Sequence, residues 1–266
     1  MKKQLLLGCA LGALFAASPA FAKKKDPPQP VPPPVPVFTW TGWYVGGNVG
    51  YSWGRGGPTF NDPALGVVGL PTSFTGPSNL DGVIGGPEIG YDWQVDANWV
   101  WGIEADFQWA DEKNSGNFSA PYTTDCEGVC GISGTIGSRI HWFGTVRGRA
   151  GWLFNPTLMG YVTGGLAYGK VSVNGSLTNS CSSGCTFLPG TFTFGSSSTN
   201  VGWTVGAGVR GVVPNWPAWV WKVEYLYIDL GSLNGTGFDP IFGGPTSWNA
   251  HFTDNILRFG LDYHFH

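Results

Sequence analysis

The stretch WVWGIEADFQWA, residues 99–110, places two carboxylates, Glu104 and Asp106, inside one of the most apolar and aromatic runs of the chain. Trp99, Trp101, Ile103, Ala105, Phe107 and Trp109 alternate with Val100, Gly102, Glu104, Asp106 and Gln108. A period of two is the pattern of a β-strand with unlike faces. One face of this strand is aromatic and the other carries acids, so deciding which one meets water decides the fold.

The same alternation recurs along the chain. Residues 138–153 set Ile140, Trp142, Gly144, Val146, Gly148, Ala150 and Trp152 against Arg139, His141, Thr145, Arg147 and Arg149. Residues 82–95 set Val83, Ile89, Tyr91 and Trp93 against Glu88, Asp92 and Gln94. Residues 200–213 set Trp203, Val205, Ala207 and Val209 against Thr204, Gly206, Gly208 and Arg210. Residues 251–265 set Leu257, Phe259, Leu261, Tyr263 and Phe265 against Arg258, Gly260 and Asp262. Segments 41–53 and 218–230 complete the set, the latter adding Lys222 and Glu224 to the polar face. The segment 158–171, LMGYVTGGLAYGKV, does not declare its faces.

Eight strands are thus predicted, and their connections alternate in length. Short ones are 96–98 (DAN), 155–157 (NPT) and 214–217 (PNWP); long ones are about 54–81, 111–137, 172–199 and 231–250. The long ones are rich in Gly, Ser, Thr, Asn and Pro, the residues of turns and loops. Four long loops at one end of a sheet are unusual for a soluble domain. Short turns at one end and long loops at the other are the rule in outer-membrane barrels.

The positions of the aromatics orient the faces. Trp43, Trp93, Trp99, Trp101, Trp152, Trp219 and Trp221 fall at the short-turn ends of strands. Trp53, Trp109, Trp142, Trp203 and Tyr227 fall at the long-loop ends. Between them the apolar face is mostly Val, Ile, Ala and Gly. Two aromatic belts around an aliphatic band describe a lipid-facing surface, since the indole ring prefers the headgroup level. The aromatics therefore face lipid and the acids face a lumen. There Glu88, Asp92, Glu104, Asp106, Glu224 and Asp262 meet Arg147, Arg149, Arg210, Lys222 and Arg258, because an isolated buried carboxylate is very costly. Glu104 and Asp106 are expected to pair with Arg147 and Arg149 on the next strand, forming a ladder of opposite charges. Glycines on the lumen face (Gly46, Gly102, Gly206, Gly208) leave room for these long side chains. The predicted fold is an all-β, eight-stranded antiparallel up-and-down transmembrane β-barrel.

Composition agrees. Of 266 residues only 12% are charged and 15% are aromatic, with 14 Trp and 43 Gly. An average soluble domain carries about 25% charged residues. Yet no run after the N-terminus reaches the ~18 apolar residues of a spanning helix. The net charge of −3 gives no reason to expect nucleic acid.

Residues 1–22 read as a signal peptide: basic MKKQ, apolar LLLGCALGALFAA, and a small-residue cut after Ala22. A lipid anchor at Cys9 is the rival reading and would leave almost no apolar region before the cysteine. Residues 23–37 form a Lys/Pro-rich periplasmic linker, extended because proline disfavours both helix and sheet interior. Residues 38–266 are the barrel. Cys126, Cys130, Cys181 and Cys185 remain in the exported chain, an even number in an oxidising compartment, which favours disulfides over a zinc site. Four cysteines allow three pairings; short closure distance favours Cys126–Cys130 and Cys181–Cys185.

The segments FTWTGWYVGGNVGYSWG, GYDWQ, YVTGGLAYG, VGWTVGAGVRG, VEYLYIDLG and NILRFGLDYHF resemble the small outer-membrane immunogenic proteins of α-proteobacteria, of OmpA-like barrel type, over roughly residues 38–266. The resemblance implies an eight-stranded barrel in the Gram-negative outer membrane, a surface antigen that stabilises the envelope. Some members are described as adhesins or haemin binders. It also implies contact with outer-membrane lipid and lipopolysaccharide, and recognition of the C-terminal strand by the assembly machinery.

Other motifs carry little. GAGVRG (206–211) matches a dinucleotide fingerprint but lies inside a strand with no helix after it. Of the four histidines, His251 at a loop rim is the candidate for haem ligation, and a polar residue at the water boundary is the plainer reading. No Ser/His/acid set suggests catalysis, and no cofactor or metal is expected. The expected function is a non-enzymatic envelope protein with external loops available for contacts, against a narrow pore or a surface receptor.

Overall fold

Each alternating segment finds an antiparallel neighbour, and the last one finds the first. In chain order the strands are β1 (Gly42–Arg55), β2 (Thr59–Asn61), β3 (Ser73–Thr75), β4 (Asn79–Gln94), β5 (Trp99–Thr123), β6 (Val129–Asn155), β7 (Leu158–Cys181), β8 (Gly190–Val213), β9 (Trp216–Asp239) and β10 (Gly244–His264). A computed structural model describes residues 38–123, 129–181 and 189–265. Neighbours run β1-β4-β5-β6-β7-β8-β9-β10, and β10 pairs back onto β1, from Tyr44 opposite His264 to Arg55 opposite Thr253. Eight long strands therefore close a barrel. The short β2–β3 hairpin lies outside the ring, paired to the outer end of β10 with Phe60 opposite Trp248. Closure is what lipid demands, since an open sheet edge there leaves backbone groups unsatisfied.

The short turns lie where the sequence places them. Asp96 Oδ1 accepts from the backbone N–H groups of Asn98 (2.7 Å) and Trp99 (2.8 Å), closing the first one locally. Asn215 takes the left-handed φ of 66° in the Pro214–Asn215 turn, a conformation Asn tolerates better than most residues.

The long connections differ from expectation. Much of 111–137, 172–199 and 231–250 is strand, not loop. A membrane crossing needs about 9–11 tilted residues, whereas β5 to β9 run for 24 to 27. The excess continues the barrel beyond the membrane. Inward Ile132, Ile136, Val171, Val173 and Leu177 are buried there, while outward Ser, Thr and Asn meet water. Turn-prone composition misled because Ser and Thr serve equally on the wet face of a strand.

Inside the membrane span the expected faces are present. Trp101, Trp109 and Trp203 are 52%, 63% and 50% exposed in the isolated protein, while Val100, Glu104, Asp106 and Gln108 are buried. The rings of each belt touch: Trp99 with Trp152 at 5.0 Å and Trp43 with Tyr91 at 5.2 Å at the short-turn end, Trp203 with Tyr227 at 5.4 Å at the other. The strand whose faces the sequence leaves open resolves as well. Met159, Tyr161, Thr163 and Ala167 point inward, and Val162 and Leu166 outward.

Two further expectations are corrected. Arg139 and His141 lie on the outer surface and Ile140 inside, the reverse of the strict alternation. The β6–β7 ladder shifts register between Ile140 and Trp142, and β5 does so between Trp109 and Glu112. A bulge of one extra residue flips every side chain beyond it. The second correction concerns the cysteines. Cys130 is bonded to Cys181, not to its near neighbour. The two stand directly opposite each other in the β6–β7 ladder, so cross-strand proximity overrides sequence distance. Cys126 and Cys185 lie outside the described residues.

Candidate functional site

Glycines at the lumen wall set the stage. A methyl group at Gly46 would meet the Asp262 carboxylate, and one at Gly102 the Asp92 carboxylate. Their absence lets charged side chains reach the barrel axis.

The polar side chains meet there in two tiers. Nearer the short-turn end, Asp92 on β4 accepts from Arg149 on β6 (2.7 Å) and from Arg210 on β8 (2.6 Å). Arg210 also reaches Asp262 on β10 at 2.7 Å, and its guanidinium lies 4.4 Å from the centre of the Tyr44 ring. The Tyr44 hydroxyl is 2.6 Å from Arg149 and 2.7 Å from Glu104. In the tier above, Arg147 contacts Glu104, Asp106 at 3.1 Å and Glu224 at 2.8 Å. Arg258 binds Asp106 at 3.1 Å and Glu224 at 2.6 Å. Lys222 donates to Glu88 at 2.7 Å and to Glu104 at 3.0 Å. All five cations are at most 3% exposed. The planar guanidinium, with its five donors, suits several carboxylates at once.

Several of these pairs join opposite walls. In the ring of eight, β5 and β9 stand four places apart, as do β4 and β8. The Lys222–Glu104 and Arg210–Asp92 contacts therefore cross the full diameter. Asp106 and Glu224 each bind Arg147 and Arg258, which come from another opposed pair, β6 and β10. The expected partners of Glu104 and Asp106 are included: Glu104 stands opposite Arg147 in the ladder, and Arg149 reaches Glu104 at 3.2 Å.

Apolar material covers both ends. Towards the outside, Leu80, Ile84, Ile140, Phe143, Ile228 and Phe252 belong to one buried cluster. At the short-turn end, Trp40 is fully buried against Val100, Met159, Tyr161 and Val220, its indole N–H donating to the Pro156 carbonyl at 3.1 Å. Above the network Ser52 donates to Asp254 at 2.5 Å, with Glu112 buried beside them.

Sequence reading missed Tyr44, Tyr161, Trp40, Glu112 and Asp254. The tyrosines were hidden because the first and fifth strands carry aromatics on both faces. Glu112 keeps the inward phase of Glu104 and Asp106 but falls in 111–137, which reads as loop, and Trp40 precedes any periodic segment. His251 is exposed, 3.0 Å from the Ser232 hydroxyl and 3.5 Å from Asp229. Among the described residues no group of three His, Cys, Asp or Glu is arranged to hold a metal ion.

A closed barrel with an aromatic-belted apolar exterior and a charged interior is an outer-membrane β-barrel. The chain belongs to the outer membrane protein beta-barrel domain family, whose pattern it matches over residues 7–265, and its place is the outer membrane. It is 34% identical over 274 residues to the 31 kDa outer-membrane immunogenic protein of Brucella melitensis, covering 100% of both chains. It is 28% identical to the 25 kDa outer-membrane immunogenic protein of Brucella abortus, over 100% of this chain and 99% of that one. With the solved Neisserial surface protein A it shares 11% identity at a TM-score of 0.39, over 85% of this chain and 98% of that one. That superposition is loose, so the description of the barrel rests on its own strand pairing.

Proposed function

We propose that this protein is a non-enzymatic structural element of the envelope, a sealed barrel that presents its extended outer end for contacts. The observation that carries the reading is the set of ion pairs between opposite walls, Lys222 with Glu104 and Arg210 with Asp92. An ion crossing the lumen has to displace these side chains and then pass the apolar clusters at either end. Buried charges left unpaired by such a displacement are costly, so the network acts as a plug. Residues 1–22 serve export and 23–37 are a periplasmic linker. Recording of purified protein in planar bilayers tests the reading: a sealed barrel gives no steady current, and a stable ohmic step identifies a pore instead.

A further inference from the structure

The described residues include nine Lys and Arg, and five of them fill the lumen. The other four, Arg55, Lys113, Arg139 and Lys170, face outward, and three of these stand together on β5, β6 and β7. Lys113 is directly opposite Arg139, and Arg139 directly opposite Ser172; Lys170 is opposite Trp142. The bulge between Ile140 and Trp142 is what turns Arg139 and His141 to this surface, where the His141 ring is 3.0 Å from the Ser172 hydroxyl and feels both Arg139 and Lys170. The carboxylate that touches the group is Asp111, 3.5 Å from Lys113 and 3.2 Å from Arg139. Three cations thus face one anion.

What lies below and above gives the patch its meaning. Immediately below are the lipid-facing rings of the outer belt: Phe107 packs on Trp109 (5.3 Å) and Trp142 (5.6 Å), and Trp142 on Tyr168 (6.2 Å). Further above, beyond a row of Ser115, Gly137, Asn174 and Gly195, outward hydroxyls and amides line up across four strands. One row is Asn117, Thr135, Ser176 and Thr193; the next is Ser119, Ser133, Thr178 and Thr191. The Thr135 and Ser176 hydroxyls are 3.0 Å apart, as are those of Thr178 and Thr191. Adjacent strands about 4.8 Å apart make this a continuous surface of hydrogen-bonding groups.

The surface therefore carries three tiers in order away from the membrane: aromatic and apolar, cationic, then hydroxyl. The glycolipid of the outer leaflet has the same order: acyl chains, phosphorylated sugars, then core saccharide. We propose that the outer face of β5–β8 is a lipopolysaccharide-binding site, in which Lys113, Arg139 and Lys170 hold the lipid A phosphates and the hydroxyl rows hold the core sugars. Charge-assisted hydrogen bonds to phosphate are the strong contacts, and an arginine makes them in pairs. The rings beneath position the acyl chains. The inference rests on the outer-membrane location and is independent of whether the lumen is sealed.

The test uses purified protein refolded in detergent free of glycolipid, with bound lipid read by native mass spectrometry. The expected result is binding of bisphosphorylated lipid A about tenfold tighter than of the same molecule after phosphatase treatment, a difference of about 1.4 kcal/mol. The Lys113→Gln/Arg139→Gln/Lys170→Gln variant loses that preference, while Arg55→Gln, two strands from the patch on β1, keeps it. Thr135→Val/Ser176→Ala/Thr178→Val weakens lipopolysaccharide carrying core sugars and leaves lipid A alone unchanged. The phosphatase comparison uses the unaltered protein, so it stands even where a variant fails to refold. Equal affinity for treated and untreated lipid A overturns the proposal. So does equal binding of phosphatidylglycerol, full competition by inorganic phosphate or by a soluble sulfated glycan, or an equal loss in Arg55→Gln.

Discussion

The ammonium of Lys222 lies 3.0 Å from Oε1 of Glu104, although the two residues sit on strands at opposite sides of the barrel. A contact of that length across the diameter leaves no open bore at its level. It also couples the two walls energetically, because Glu104 is shared with Arg147, Arg149 and Arg258.

Removing one partner leaves buried charge behind. Glu104→Ala and Lys222→Ala are each expected to destabilise the barrel by roughly 3–5 kcal/mol. The double variant is expected to lose clearly less than the sum of the two. Folded fraction against urea in lipid vesicles gives all three values. Strict additivity contradicts the pairing.

Trp40 closes the short-turn end and is fully buried. Trp40→Ala removes its packing on Met159, Tyr161 and Val220 and its hydrogen bond to Pro156. The expected loss is about 3–5 kcal/mol, measured in the same urea series. An unchanged midpoint shows that the ring does not seal the mouth.

The Cys130–Cys181 bond ties the far ends of β6 and β7, well outside the membrane span. Non-reducing peptide mapping is expected to recover these two cysteines in one linked pair. Because the bond lies beyond the lumen network, reduction is expected to leave heat-modifiable mobility on SDS gels intact. A map that joins residue 130 to 126 rejects the cross-strand bond.

Outside the membrane, Asp62 caps the turn at Pro63–Val68 by accepting from the Ala64 N–H at 3.0 Å. Burial, then a hydrogen bond to Asp239 and the closeness of that carboxylate, raise Asp62 from 3.8 to about 7. The folded loop therefore holds a proton that the unfolded loop releases near its ordinary pKa. The stabilisation is complete at acidic pH and is lost as the pH rises through about 7. Amide exchange in residues 61–70 is expected to be faster at pH 8 than at pH 5, after correction for intrinsic rates. Asp62→Asn flattens the difference. Faster exchange at pH 5 reverses the sign and rejects the shared proton.

Much of this was legible because a barrel in lipid writes its two faces in alternate residues. Glu104 and Arg147 declare themselves as inward by counting in twos from the exposed tryptophans. The count fails at Arg139, where a bulge in β6 inserts one residue and local sequence does not reveal it; Glu112 stays in step with Glu104 and was lost only because 111–137 reads as a loop. The outer extension was unreadable for a different reason: strands rich in Ser, Thr and Gly share their composition with loops. The cysteine pairing depends on where β6 and β7 end, which follows from that same extension. Tyr44 and Trp40 act through contacts across the barrel, to Glu104 and to the turn at Pro156, and no nearest-neighbour pattern records such contacts.

The sealed lumen is tested most directly by single-channel recording of the purified protein in planar bilayers, with insertion verified by protease access to the outer loops. No steady current is expected across the physiological voltage range, because side chains from opposite walls meet on the axis. A stable, ohmic conductance carried by the unaltered protein would contradict it.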